Sequence, residues 1–282
     1  MSEVMLEVRN LTKEFPVQGG ATRSFRAVDD VSFELFEGEA LGLVGESGSG
    51  KSTTARCVLR LIEPTSGAVL FRGKDVLGMN RRELGAFRRE AQLVFQDPYS
   101  SLDPRMRVGE IIAEGLEIHQ PRMSRDERLT ELRRLLSLVG LREDHLNRFP
   151  ESFSGGERQR IGIARALAVK PSLLVCDEPV ASLDVSIQAQ VLNLFQELKE
   201  KLGLTILFIA HDLATVRHLC QRVAVMEQGA IREIGTREDV YLRPQHEYTR
   251  ALMEAVPEPD PKLERKKLES RRKDRKAVND AG

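Results

Sequence analysis

The sequence predicts an α/β fold built on a parallel sheet that is covered on both faces. Short apolar runs of strand length alternate with longer stretches whose apolar residues recur at helical spacing. The run 204–210 is typical of a central, fully buried parallel strand. A loop of glycine and serine joins the apolar run 40–44 to a helical stretch, which is the setting of an anion site in such folds.

Composition narrows the class of protein. The chain has 282 residues, 41% hydrophobic and 30% charged, which suits one large or two small domains with a real core. The formal net charge is zero, so nothing indicates a nucleic-acid partner. No apolar run is long enough to span a bilayer, and the N-terminus does not resemble a secretory signal. The widely separated Cys57, Cys176 and Cys220 are expected to be reduced core thiols of a cytosolic protein.

The N-terminal segment, residues 4–37, is predicted to be β structure. The stretches 4–8 and 27–35 partly alternate between apolar and polar residues, and a loop is expected at 15–20. Phe15 could stack on a nucleotide base or could pack beneath the loop, and Phe25 is a competing aromatic residue.

The loop after strand 40–44 carries the strongest motif of the chain. Gly45 to Ser52 fits G-x-x-x-x-G-K-[ST], in which backbone N–H groups surround phosphate. Lys51 would add a charge for the β/γ-phosphates, and the Ser52 hydroxyl could ligate Mg²⁺. A helix is expected from near Gly50, with its apolar face running to Ile62 before Pro64.

The middle of the chain is predicted to change from strands to helices. Strands are expected at 68–71 and 93–95, and a turn-rich loop at 97–104. From about 106 to 150 the pattern is helical. A capping box at Ser124–Glu127 precedes one apolar face formed by Leu129, Leu132, Leu135, Leu136 and Val139, and Gly140 ends the helix.

The core pattern then resumes. Strands are predicted at 172–176, 204–210 and 223–226, the last being the final strand, with a helix carrying Ile187 to Leu198 between the first two. A turn is expected at 228–229, and the charged residues 262–282 are expected to be disordered.

Two acidic residues end the strand 172–176. Asp177 could hold Mg²⁺ through water, and Glu178 could act as general base toward a water molecule. The alternative is a strand that simply ends in surface acids, which the phosphate loop makes the weaker interpretation. A second anion cradle is expected at Ser154-Gly155-Gly156, at a helix N-terminus. Because one phosphate site needs only one cradle, this one is expected to serve another molecule's nucleotide.

These stretches together resemble the ATP-binding subunit of ABC transporters. The motifs follow the family's order from Phe15, the adenine-stacking aromatic, through the phosphate loop to His211, the switch histidine. The nucleotide-binding set is Phe15, Gly45, Glu46, Ser47, Gly48, Ser49, Gly50, Lys51, Ser52, Thr53 and Gln96. The signature is Ser154, Gly155, Gly156 and Glu157, and the dimer loop is Ser182, Leu183 and Asp184.

The resemblance implies a P-loop NTPase of the ABC type. Its parts would be a RecA-like parallel-sheet core, an N-terminal antiparallel β subdomain and an inserted helical subdomain at about 97–160. The ATP-binding domain would span 1–242, and 243–282 would form a C-terminal extension. Glu178, His211 and Lys51 would be catalytic, and Ser52, Gln96 and Asp177 would hold Mg²⁺. ATP and Mg²⁺ are the implied ligands. One departure is that the family's Leu-Ser-Gly-Gly-Gln begins here with Phe153 and ends with Glu157, which adds a negative charge near a triphosphate.

The stretches 95–104 and 243–252 are similar to the oligopeptide/dipeptide importer branch. That branch implies a second ATPase subunit that is a different chain, two transmembrane permeases and an extracytoplasmic binding protein, with this chain at the cytoplasmic face of the membrane. The surface after Gln96 would dock the permeases. Nickel, glutathione, opine or oligosaccharide cargo, or an ABC ATPase outside transport, are the alternatives.

Overall fold

A computed structural model describes residues 3–16, 24–97, 99 and 101–255. The strands are β1 Val4–Pro16, β2 Ser24–Phe36, β3 Ala40–Val44, β4 Ser66–Phe71, β5 Lys74–Asp75, β6 Ala91–Val94, β7 Leu173–Asp177, β8 Thr205–Ala210, β9 Arg222–Glu227 and β10 Ala230–Thr236. The helices are α1 Lys51–Val58, α2 Arg81–Glu90, α3 Val108–His119, α4 Arg125–Leu138, α5 Gly155–Leu167, α6 Val185–Leu202, α7 Leu213–Val216, α8 Arg237–Leu242 and α9 Glu247–Ala255. Two 3₁₀ turns, Glu143–Asn147 and Pro150–Ser152, precede α5.

Two sheets organise these elements. The larger has the order β10-β9-β3-β8-β7-β6, and its pairs are parallel except for β9 with β10. The smaller is antiparallel, with the order β2-β1-β4-β5. The parallel core and the N-terminal antiparallel sheet are therefore confirmed, and β8 is a central strand as predicted.

Side chains of the central strands alternate between two cores because successive residues of a strand point to opposite faces. Ile206 and Phe208 of β8 pack with the helices α3 to α6. Leu207 and Ile209 pack with α1 and the antiparallel sheet. The parallel sheet is thus covered on both faces, and the carboxyl ends of its strands are left free to carry polar residues.

Several predicted boundaries are wrong. β1 continues through Phe15 and Pro16, which pair with Phe25 and Ser24, so only the later part of the expected loop falls outside the strand and outside the described residues. Helix α1 ends at Val58 and not at Ile62, because Arg60 adopts a left-handed backbone with φ of 47°. Phe95 lies beyond β6 and is 45% exposed, not buried.

Two further corrections concern the helical region and the last strand. Leu129 of α4 is 37% exposed, whereas the other residues predicted on its apolar face lie in the core or against it. β9 is not the final strand, because the chain turns at Gln228 and Gly229 and pairs back as β10. Helix α5 crosses residue 160. The helical subdomain at about 97–160 and the division at 242/243 stay predictions.

The cysteines are buried and unpaired as expected, and burial raises the pKa of the Cys57 thiol to about 11. Within the described ranges, no helix has the length and apolar character to cross a membrane. The tail 262–282 lies outside the described residues.

Candidate nucleotide site

The phosphate loop connects β3 to α1 and passes very close to neighbouring backbone. A Cβ atom at Gly45 would lie 2.0 Å from the carbonyl oxygen of Met226. Gly50, the N-cap of α1, has φ of 104°, and a Cβ there would lie 2.2 Å from the carbonyl oxygen of Ala27. Both glycines are required by packing, and they place the start of α1 where an anion would meet its N–H groups.

Lys51 is buried at the centre of the loop. Its Nζ donates hydrogen bonds to the carbonyl oxygens of Gly45 at 2.7 Å and Glu46 at 2.8 Å. The Glu178 carboxylate lies 3.7 Å away. Burial lowers the pKa of the Lys51 ammonium group, and the charge of Glu178 opposes that shift. The Lys51 ammonium group is therefore held inside the loop by the loop's own backbone carbonyls.

The predicted metal ligands and Glu178, one of the predicted catalytic residues, come together around this lysine. The Ser52 hydroxyl donates to Asp177 Oδ1 at 2.6 Å. The Gln96 side-chain amide donates to Glu178 Oε2 at 3.0 Å. Residues from the end of β6, the end of β7 and the start of α1 thus meet in one cluster, as expected for the carboxyl edge of a parallel sheet.

Glu178 follows β7 and is buried in an unusual backbone conformation. Its φ is 46°, in the left-handed region that non-glycine residues seldom adopt. Its N–H donates to the carbonyl oxygen of Ile209 at 3.1 Å, and its own carbonyl accepts from Ala181 at 3.2 Å. The backbone on both sides therefore fixes the carboxylate beside Lys51 and Gln96.

His211 follows β8, the strand beside β7. The ring is half exposed, and its Nε2 lies 3.3 Å from Asp212 Oδ2. Asp212 also caps α7 by accepting from Thr215 N–H at 2.7 Å. The structure places His211 at the correct edge of the sheet, but its ring pairs with Asp212 and is not among the contacts that join Lys51, Gln96 and Glu178.

The signature segment caps helix α5 with its own side chains. Glu157 Oε2 accepts hydrogen bonds from Ser154 N–H at 2.9 Å and from the Ser154 hydroxyl at 2.8 Å. The hydrogen bond from Ser154 N–H is the main cause that lowers the pKa of Glu157. Glu157 was predicted only as a negative charge near a triphosphate. The S-x-x-E pattern, which predicts the capping box at Ser124, also identifies this capping role.

The dimer loop lies against the signature within the same chain. A Cβ at Gly155 would lie 3.2 Å from Leu183 Cδ2, and one at Gly156 would lie 2.4 Å from Ile187 Cγ2. Ser182 and Asp184 are exposed. Leu183 therefore packs closely against Gly155, and the approach of Ile187 leaves no room for a side chain at Gly156 unless Ile187 moves.

The remaining members of the nucleotide-binding set lie at the edges of the site. Glu46, Ser47 and Gly48 form the exposed tip of the loop, whereas Ser49 is buried and Thr53 is in the first turn of α1. Phe15 is half-buried at the end of β1, with the Lys13 ammonium group 5.0 Å from its ring centre. Tyr248 was not predicted to belong to the site, yet its hydroxyl accepts a hydrogen bond from Glu46 N–H at 3.1 Å.

The donor set suits a hard cation held jointly with phosphate. Ser52, Asp177 and Gln96 supply only oxygen ligands, which Mg²⁺ prefers. Across the described part of the chain, no group of three or more His, Cys, Asp or Glu side chains could hold a metal ion.

The site defines a P-loop nucleoside triphosphatase, because it combines a phosphate loop with an acidic pair after a buried strand. A second capped helix with a glycine pair accompanies them. The family model for ABC transporters matches residues 28–181, and the model for the C-terminal region of oligopeptide/dipeptide transporters matches residues 232–282. The chain belongs to the ABC transporter family, as the resemblance implied, and it is an ATPase of that family.

Individual relatives agree with the family match. The chain is 51% identical over 269 residues to the oligopeptide transport ATP-binding protein OppF of Bacillus subtilis (strain 168), covering 95% of this chain and 87% of that protein. It is 51% identical over 271 residues to OppF of Escherichia coli (strain K12), covering 94% and 81%. The dimeric post-hydrolysis structure of the ATP-binding cassette MJ0796 bound to ADP and Pi is 29% identical and has a TM-score of 0.74 over 82% of this chain and 98% of that one.

Proposed function

We propose that this chain is the subunit whose ATP hydrolysis drives an importer of dipeptides or oligopeptides. The observation that carries the proposal is the single cluster formed by Lys51, Ser52, Gln96, Asp177 and Glu178. The cargo class is supported by the match of residues 232–282 to the C-terminal region of oligopeptide/dipeptide transporters and by the names of the relatives.

In the proposed mechanism Glu178 orients a water molecule and takes its proton. Its carboxylate is fixed by the Gln96 amide and faces Lys51, so it sits next to the cation that would hold the terminal phosphates. Phosphate would draw the Lys51 amine away from the loop carbonyls, because a charged acceptor forms the stronger hydrogen bond. His211 would contact the γ-phosphate region after leaving Asp212, and Phe15 would stack on adenine.

Ser52, Asp177 and Gln96 would hold Mg²⁺. The 2.6 Å contact between the Ser52 hydroxyl and Asp177 already brings two of these oxygen donors together. When bound, the ion would offset charge on the β- and γ-phosphates. In this mechanism Asp177 is a metal ligand, and Glu178 alone serves as the base.

We further propose that the nucleotide is shared between two chains. The phosphate loop of one subunit would face the Ser154–Glu157 signature of another, with Ser182, Leu183 and Asp184 at the contact. The dimeric state of MJ0796 bound to ADP and Pi supports this arrangement by likeness. The second ATPase subunit is proposed to be a different chain, with two permeases and an extracytoplasmic binding protein completing the importer.

A groove beside the Gln96 loop is the proposed permease contact. It has a volume of about 620 Å³ and lies between the end of α1, β6, α3 and α5. Leu61, Phe95 and Ile118 line it, and all three side chains are largely exposed. Exposed apolar residues grouped in one groove favour a protein contact. This surface would hold the chain peripherally at the cytoplasmic face of the membrane.

Replacing apolar residues of the groove by charged ones tests that contact. Leu61→Asp with Ile118→Asp should abolish co-purification of the chain with its permeases from detergent extracts. Leu242→Asp is the control, because Leu242 is also an exposed apolar residue but lies on α8, away from the groove. Retention of the permeases by the double variant, or their loss in the control, would contradict the docking surface.

Glu178→Gln tests the proposed activity. Loss of the base should slow ATP hydrolysis about 100- to 10,000-fold while ATP binding is retained. Glu197→Gln, at an exposed ion pair with Lys201, is the matched control and should hydrolyse normally. In cells, Glu178→Gln should abolish uptake of a labelled tripeptide. Undiminished peptide uptake, with loss of nickel or glutathione uptake instead, would refute the peptide cargo.

A further inference from the structure

The C-terminal segment after β10 reaches back to the phosphate loop. Tyr248, in the second position of α9, accepts a hydrogen bond at 3.1 Å from Glu46 N–H, although the two residues are 202 positions apart. The Tyr248 ring is partly buried and packs against the helical core, together with Leu252. A residue of the C-terminal region thus contacts the backbone of the nucleotide site.

Glu46 transmits this contact to the site lysine. Its N–H is held by Tyr248, and its carbonyl oxygen accepts from Lys51 Nζ at 2.8 Å. Glu46 is otherwise at the exposed tip of the loop, where nothing else in the described chain holds its N–H. A backbone restrained at this point keeps the loop and the lysine amine in one geometry before phosphate arrives.

The start of α9 is itself anchored to β10. The Glu233 carboxylate accepts from Gln245 N–H and from His246 N–H, each at 3.0 Å. Tyr248 N–H donates to His246 Nδ1 at 3.2 Å. Because Glu233 fixes the turn that leads into the helix, it also fixes where the Tyr248 hydroxyl points.

We propose that Tyr248 is a positioning residue of the ATP site and that Glu233 acts through it. The C-terminal segment then sets the affinity of this chain for ATP, by bracing the first turn of the phosphate loop. Tyr248 touches neither the attacking water nor the leaving group, so its loss weakens ATP binding and raises KM while kcat at saturating ATP stays close to wild type. This inference rests on the proposed ATP site.

Tyr248→Phe tests the hydroxyl without emptying the ring's place in the core. Affinity for mant-ATP, measured by fluorescence titration of the full chain, should fall about threefold to tenfold, as expected for one lost hydrogen bond. Thr236→Val is the matched control. It removes the hydroxyl that caps α8, which accepts from Asp239 N–H at 3.2 Å and donates to Asp239 Oδ2 at 2.6 Å. Neither bond involves the loop, so mant-ATP affinity should be unchanged.

A double-mutant cycle separates positioning from general loosening. Glu233→Ala should weaken mant-ATP binding by itself but should add little to Tyr248→Phe, because both act through one bond. Wild-type affinity in Tyr248→Phe, an equal loss in Thr236→Val, or fully additive losses in the double variant would overturn the inference while leaving the ATPase assignment intact. A wild-type chain that binds no mant-ATP would instead refute the proposed site and this inference together.

Discussion

Replacing Glu157 by glutamine should lower the stability of the isolated subunit to unfolding. The same change should raise the affinity of the subunit for its partner in the ATP-bound dimer. Its carboxylate accepts both the N–H and the hydroxyl of Ser154, which caps α5. The hydrogen bond from Ser154 N–H lowers the pKa of Glu157, so the group is charged at neutral pH. The variant keeps an oxygen for one of these bonds but loses the charge that faces the positive end of the helix.

The expected loss of stability follows from the cap. A charge-assisted bond is about twice as strong as a neutral one, and a charge at a helix N-terminus contributes about 0.3 to 1 kcal/mol, so we expect Glu157→Gln to lose about 1 kcal/mol. Since the folded pKa lies below the unfolded value of 4.5, this stabilisation is complete above pH 4.5 and is lost as pH falls through the folded pKa. The two proteins should therefore become equally stable in acid.

The gain in association comes from the same charge. In the shared site the Glu157 carboxylate would face a triphosphate, and two unit charges about 8 Å apart repel by about 2 kcal/mol at an effective dielectric constant of about 20. With screening by salt, we expect the dissociation constant of the ATP-bound dimer to fall by up to about tenfold.

Urea unfolding at pH 7 and at a series of pH values below 4.5 measures the first effect, and size-exclusion chromatography in Mg-ATP on a Glu178→Gln background measures the second. Glu127→Gln is the matched control, because Glu127 forms the same capping box with Ser124 on α4. It should lose similar stability and leave association unchanged. Association that is unaffected by Glu157→Gln, or that is improved equally by Glu127→Gln, would refute the electrostatic reasoning.

Two further predictions concern the site. Glu178→Gly should be at least as stable to urea as Glu178→Ala, since a left-handed residue with a Cβ costs about 1–2 kcal/mol, more than the roughly 0.5–1 kcal/mol by which Ala normally exceeds Gly. The usual order, with Ala clearly more stable, would show that the backbone strain at this position is absent. Phe15→Ala should weaken mant-ATP binding about twofold to tenfold through lost stacking, whereas Phe25→Ala, on the paired strand, should not. Equal losses in both would contradict the assignment of Phe15.

Local patterns predicted the parts of the site that lie next to each other in the chain. The phosphate loop, the strand before it and the acids after β7 could be predicted because strand, turn and helix signals adjoin there. The capping hydrogen bond of Glu157 could equally have been predicted from its spacing to Ser154. By contrast, the bond between Tyr248 and Glu46 depends on how α9 docks against β10, and no local pattern determines that.

Boundary errors have the same origin in long-range contacts. The pairing of β1 with β2 extends the strand to Pro16, beyond the stretch that alternates between apolar and polar residues. Phe95 looked like the end of a buried strand, but it lines an exposed groove, which we propose as the contact with the permeases. Burial inferred from hydrophobicity alone cannot separate a core residue from one on an interface.

The geometry of Glu178 shows how the fold supplies what the motif alone does not. A buried carboxylate in a left-handed conformation is unfavourable by itself, so the surrounding structure must compensate for it. Hydrogen bonds to Ile209 and Ala181 hold the backbone, and Lys51 offsets the charge. Because Lys51 is in turn held by the Glu46 carbonyl, the position of the proposed base depends on the phosphate loop that it serves. In the proposed mechanism, ATP binding at the loop and hydrolysis beside β7 would therefore be coupled through one buried lysine.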